Sequence, residues 1–259
     1  MKLLPVFPAY YNLLDKLGWF ALRGAGIGVI VYLLLPVVVI IPLSFSDSSF
    51  LAYPIKGWSL QWYREMFHSD DWIRAAKNSF IVAPLATLLA TVLGTLAAMG
   101  LANTSFFGKG FITSLLIAPM VVPIVVVGVS SYLYFAKWGL NDTYLGLVIV
   151  HAALGAPFVV TTVLATLQGF NHNLVKASLS LGASPLETFF RVTLPVIAPG
   201  VISGALFAFA TSFDEVVVTL FLAGPEQVTL PRQMFTGIRE NISPTIAAVA
   251  TLLILFTTA

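Results

Sequence analysis

Asp214 and Glu215 are adjacent acids in a stretch, 198–223, that is otherwise uncharged. They are the only acids inside any of the chain's long apolar runs. A carboxylate in the hydrocarbon layer costs about 2–3 kcal/mol or more on insertion scales, so it faces protein or water rather than lipid. The chemistry it offers there is cation recognition, with the carboxylate replacing the hydration of an ammonium group. The structural alternative is a partner for an arginine or for backbone groups of a neighbouring subunit. If the helix starts near Ala198, Asp214 lies about 24 Å along it, and adjacent residues point about 100° apart. One acid then faces a pathway and the other a neighbouring helix. His151 is a lone ionisable residue in another apolar run, 144–168. Its ring suits either a bond to a neighbouring helix or the same pathway. No second His, Cys or carboxylate stands three or four residues on, which argues against a metal site.

Catalytic patterns are missing. There is no Gly-x4-Gly-Lys-Ser/Thr run for nucleotide phosphates, no His-Glu-x-x-His and no Gly-x-Ser-x-Gly. Cysteine is absent, which excludes disulfides, thiolate metal sites and cysteine nucleophiles. A membrane-embedded protease built on Asp214 and His151 therefore has little support. No cofactor is expected in this chain.

The elements that must position these groups are apolar. Of 259 residues, 58% are hydrophobic and only 9% charged, with a mean hydropathy of +0.95. Soluble domains carry roughly 25% charge, and disorder needs low hydrophobicity with high charge. Both classes are excluded. Thirteen basic residues against 11 acidic ones give no field for nucleic acid. What remains is an all-α, polytopic transmembrane helix bundle in contact with lipid. A span needs roughly 20 apolar residues. The runs that qualify are about 24–43, 78–101, 111–135, 144–168, 198–223 and a last one from about 244. That makes about six spans. The last reaches only about 24 Å by Ala259, so the natural chain is expected to continue. Met1 to Arg23 reads as an amphipathic approach to a retained first span rather than a cleaved signal.

The loop 44–77 holds Trp58, Trp62, Tyr63, Phe67 and Trp72, rings that favour the headgroup level. Residues 59–67 fit a short interfacial helix capped by Ser59. Thr87, Thr91 and Thr95 recur every fourth residue beside Ala86, Ala90 and Gly94, a face suited to close helix packing or to a polar path. Pro119 and Pro123 should kink the third span and Pro157 the fourth. With the N-terminus inside, six basic residues fall inside and seven outside, so charge leaves the topology open.

The segment 171–195 reads as two short helices at a sharp corner. Asn171 or Asn173 caps the first, and Gly182 ends it with a left-handed residue. Ser184 as cap, Pro185 at the first position and Glu187 at the third form a capping box for the second. Leu194-Pro195 should stop it before the next span.

This loop resembles the Glu-Ala-Ala loop of ABC-importer permeases, where Glu-Ala-Ala, three residues, Gly and a Leu-Pro ending recur. The matching positions are Lys176, Ala177, Ser178, Gly182, Leu194 and Pro195, with Lys176 where glutamate is usual. The continuation Phe213-Asp214-Glu215-Val216-Val217-Val218-Thr219 and Leu222-Ala223-Gly224-Pro225 is similar to the second permease of spermidine/putrescine-type importers. The resemblance implies a type I ABC-importer permease fold of six spans. It implies one permease domain over 1–259, a cytoplasmic coupling loop at about 169–197, both termini inside, and a bacterial inner membrane. Lys176, Ala177, Ser178, Gly182, Ala183, Ser184, Pro185 and Glu187 would then form the coupling site. The implied partners are a second permease subunit, two copies of an ATP-binding subunit carrying ATP and Mg, and an extracytoplasmic solute-binding protein. On that orientation Asp214, Glu215 and His151 are pathway candidates, with Asp214 in the outer third of the bilayer. A secondary transporter using Asp214 or Glu215 as ion or proton carrier is the competing reading, and no evident inverted repeat supports it.

Overall fold

The structure is a computed structural model and describes residues 10–240 and 243–258. Lys2 and the rest of residues 1–9 of the expected amphipathic approach lie outside them, as does Ala259 at the end of the last run. The described residues are mainly helical and contain no β-strand, with one antiparallel bridge between Ser46 and Trp58. The chain separates into two units, Met1–His68 with Gly237–Ala259, and Ser69–Thr236.

The first unit contains α1 (Leu13–Leu43), α2 (Gln61–His68) and the last helix, α12 (Pro244–Thr258). Asn12 and Asp15 form a reciprocal capping box, at 2.9 and 3.0 Å, that starts α1 ahead of the expected run. From Leu13 on, the described part of the approach and the span are thus one 31-residue helix. Its apolar window has a mean hydropathy of 2.7 and only 6% of it is buried. The expected interfacial helix forms as α2, and Ser59 Oγ accepts from the Gln61 N–H at 3.1 Å. Trp62 Nε1 donates to the Ser46 carbonyl at 2.7 Å, and the Tyr63 hydroxyl meets Ser44 Oγ at 2.7 Å. These rings tie α2 to the residues just after α1. Helix α12 packs against both.

The second unit is centred on α3 (Asp70–Asn103), α6 (Tyr144–Gln168) and α9 (Leu194–Phe213), each packed against the other two. Small residues set the seams. A Cβ on Gly155 would lie 2.9 Å from the Ala208 Cβ, and one on Gly94 would lie 2.8 Å from the Val159 Cβ. Without aqueous hydrophobic drive between spans, such close backbone approach supplies the packing energy. Helix α6 is the most enclosed, with 61% of its apolar window buried.

The third expected run is broken rather than kinked. Helix α4 (Lys109–Ile117) and a 3₁₀ turn (Ala118–Met120) are bent by 100° from α5 (Ile124–Ala136). Pro119 and Pro123 bracket the break, where two N–H donors are missing within five residues. Further along come α7 (Asn173–Ser180), α8 (Pro185–Thr188), α10 (Val217–Leu222) and α11 (Leu230–Glu240). Four helices are long and apolar enough to cross a membrane: α1, α3, α6 and the run Pro185–Phe213. The bent pair makes a fifth when counted as one span, and α12 is a shorter apolar helix of 15 residues. Each of the six expected runs therefore has a helical counterpart.

Candidate functional site

The run expected as one helix over 198–223 is interrupted at the two acids. Helix α9 ends at Phe213, and Asp214 caps it with its N–H on the Ala210 carbonyl at 3.0 Å. Helix α10 starts three residues later. The acids are therefore not related by a continuous helical turn, as sequence reasoning had it. The cause is local. Glu215 Oε1 accepts the Val218 N–H at 2.7 Å and so caps the start of α10. A side chain that satisfies a backbone donor competes with the helical ladder, and the β-branched run Val216-Val217-Val218 weakens it further. The two carboxylates consequently differ. Glu215 is partly buried and engaged, whereas Asp214 is exposed and its carboxylate makes no hydrogen bond or ion pair among the described residues.

His151 is drawn to the same break. It is 1% exposed, with Nδ1 2.9 Å from Ser212 Oγ in the last turn of α9 and Nε2 3.3 Å from Thr219 Oγ1 in α10. Thr219 Oγ1 donates in turn to the Glu215 carbonyl at 3.3 Å. The other end of α10 is held as well. Arg232 Nη1 of α11 donates to the carbonyls of Thr219, at 3.2 Å, and Ala223. The Asp142 N–H, before α6, reaches the Leu222 carbonyl at 2.9 Å. Ser212, Thr219 and Arg232 carry no local pattern that marks them. Hydroxyls are common in apolar helices, and their partners lie far away in the chain. No group of His, Asp or Glu among the described residues is arranged to hold a metal ion.

Thr91 and Thr95 of the threonine stripe line a cavity of about 670 Å³ between α3 and the α8–α9 run. Its walls include Val92, Leu96, Phe189 and Phe190, and they are almost wholly apolar. The hydroxyls of Thr87, Thr91 and Thr95 are buried without a hydrogen-bond partner.

The corner between α7 and α8 follows its sequence closely. Asn171 Oδ1 accepts the Asn173 N–H at 3.0 Å. Gly182 has φ +90°, its N–H reaches the Leu179 carbonyl at 3.0 Å, and the Ala183 N–H reaches Ser178 at 3.2 Å. That pair of bonds is the Schellman closure, which requires a left-handed residue at the glycine. Ser184 Oγ accepts the Glu187 N–H at 3.2 Å, while the Glu187 carboxylate turns to Arg191 at 3.1 Å. Ser178 Oγ meets Thr188 Oγ1 at 2.9 Å and joins the two helices. Lys176 and Ala177 are exposed, as are Leu181 and Leu186. Two expectations are corrected. The capping box is half formed, because the Glu187 carboxylate pairs with Arg191 instead of the Ser184 N–H. Leu194-Pro195 does not stop the helix: α8 continues through a π turn (Phe189–Thr193) into α9. The Leu194 N–H bonds five residues back to Phe189, and this wider turn accommodates the proline's missing donor and its ring.

Comparison with known proteins fits this arrangement. The model of the family "binding-protein-dependent transport system inner membrane component" matches residues 90–259. The spermidine/putrescine transport system permease protein PotC of Haemophilus influenzae is 32% identical over 93% of both chains. The chain belongs to this family. The putrescine transport system permease protein PotI of Escherichia coli is 34% identical over 86% of this chain and 82% of its own. The crystal structure of a bacterial ABC transporter that imports the acidic polysaccharide alginate aligns with a TM-score of 0.74 at 15% identity, covering 96% of this chain and 94% of the other. A second structure of the alginate transporter, in complex with an alginate pentasaccharide-bound periplasmic protein, aligns at 0.67 and 18% identity, covering 92% and 88%. The family member thus has the type I ABC-importer permease fold expected from its loop. Family membership does not favour the secondary-transporter reading.

Proposed function

We propose that the chain is the permease subunit of an ATP-driven importer for a small cationic or nitrogen-containing solute, of the polyamine type. The observation that carries this reading is the free carboxylate of Asp214 at the broken end of α9, in a chain whose relatives include spermidine and putrescine permeases. A cationic solute leaving its binding protein loses carboxylate partners, and Asp214 supplies one during the handover. Glu215 and His151 complete the pathway region by shaping the break. Residues 1–259 act as one permease domain in a bacterial inner membrane, with 169–197 as the cytoplasmic coupling loop. Lys176, Ala177, Ser178, Gly182, Ala183, Ser184, Pro185 and Glu187 form the corner that docks on the ATPase. The partners are a second permease subunit, two ATP-binding subunits that hold ATP and Mg, and an extracytoplasmic solute-binding protein.

The test is radiolabelled putrescine and spermidine uptake in membrane vesicles, with complex yield measured in parallel. Asp214→Asn keeps shape and removes charge. It should lower uptake about ten- to hundredfold, the range set by a charged hydrogen bond of about 1.5–3 kcal/mol. Normal uptake would remove Asp214 from the pathway. Failure of an ATPase to co-purify with the tagged chain would remove the importer reading.

A further inference from the structure

We infer that His151 is a positioning residue, one that fixes the angle at which α10 leaves α9 and thereby aims the Asp214 carboxylate. The inference rests on the pathway reading of Asp214 and adds to it a mechanical part. Residues 214–216 join two helices with no ladder between them, and their backbone angles alone would allow many directions for α10. Packing on α5 limits that freedom, and His151 narrows it further, because its ring is hydrogen-bonded to Ser212 on one side and to Thr219 on the other.

One neutral tautomer of the ring satisfies all of these bonds. Thr219 gives its hydroxyl proton to the Glu215 carbonyl, so its oxygen is left to accept from His151 Nε2–H. A neutral imidazole has one donor, so Nδ1 accepts from the Ser212 hydroxyl. The bonds run from Ser212 through His151 and Thr219 to the backbone of the break itself. All three side chains are buried, at 5%, 1% and 0% exposure. A shift of α10 relative to α9 would strand two buried polar groups together, and each unmet group carries a substantial penalty. Arg232 holds the Thr219 and Ala223 carbonyls and Asp142 the Leu222 carbonyl, while this relay joins α10 to the last turn of α9.

This chain has no cysteine, so within it spin labels attach only where cysteines are introduced. Leu206→Cys in α9 and Phe221→Cys in α10 provide sites with 65% and 37% exposure. The Leu206–Phe221 distance distribution and the uptake rate per assembled complex are measured on the complete transporter in lipid. His151→Leu should broaden the distribution and slow uptake about tenfold, and Thr219→Val about threefold. His151→Gln should restore a narrow distribution and uptake to within about twofold of the parent. Its amide can accept from Ser212 and donate to Thr219. Asp214→Asn should slow uptake with the distribution unchanged. If His151→Leu does not assemble, Thr219→Val carries the test, because it removes only a hydroxyl. An unchanged distribution in both variants overturns the inference, as does a His151→Gln protein no better than His151→Leu. Normal uptake by Asp214→Asn, with broadened and slow His151 variants, overturns the pathway reading and leaves His151 as the pin of the break.

Discussion

At the scale of single residues, Asp214 and Glu215 are alike in sequence and are separated by one hydrogen bond. Glu215 holds the Val218 N–H, and that duty needs an oxygen rather than a charge. Glu215→Gln keeps the acceptor and should transport within about twofold of the parent. Glu215→Ala loses a helix cap, typically about 1 kcal/mol, and should lower the melting temperature of the purified protein. Equal stability of the alanine and glutamine variants would remove the capping role. Asp214 stood out as a candidate in the sequence, because an acid in an apolar run is costly on energetic grounds alone. Its division of labour with Glu215 was not legible there. The bond that creates it lies within three residues, yet the apolar residues on both sides read as one uninterrupted span. The surroundings of His151 were beyond reach for a different reason, since Ser212 and Thr219 lie 61 and 68 residues away.

At the scale of elements, the corner at Gly182 was readable and the helix that follows was not. Caps and left-handed stops are local chemistry, so Asn171, Gly182 and Ser184 announce themselves. A Leu-Pro pair announces a stop too, but a π turn lets the helix run through it. Gly182 gives a sharp prediction. A Cβ there meets nothing within 4 Å, so any effect of substitution is torsional. Gly182→Val should strain the corner by roughly 1–2 kcal/mol and reduce transport-linked ATPase activity, whereas Gly182→Asn should be milder because asparagine tolerates the left-handed region. Equal activities in the two variants would show that the angle is not what matters. The α6–α9 seam behaves oppositely. A Cβ on Gly204 would lie 2.7 Å from the Val159 Cα, a backbone atom that cannot move without its helix. Gly204→Leu should therefore cut the yield of monodisperse protein on size-exclusion chromatography. Gly26→Leu, in open space on α1, should not.

At the scale of the molecule, composition settled the class and the long runs located the helices, while the breaks within two runs came from local chemistry, Pro119 with Pro123 in one and the Glu215 side chain on the Val218 N–H in the other. Exposure then divides the spans. Leu33 on α1 is 64% exposed and Val159 on α6 is fully buried. A photoactivatable acyl-chain probe in native membranes should label α1 heavily and α6 sparingly by mass spectrometry. Comparable labelling of the two would contradict the enclosure of α6. That enclosure has a consequence in time. The partners of His151 are synthesised after it, 61 and 68 residues later in the chain. At roughly 5–20 residues per second, the ribosome needs about 3–14 s to deliver them. Until they emerge, the His151 ring has neither of its final partners. Nascent chains arrested before α9 should therefore be the form that quality-control proteases recognise. The histidine that steadies the finished protein is a liability of the unfinished one.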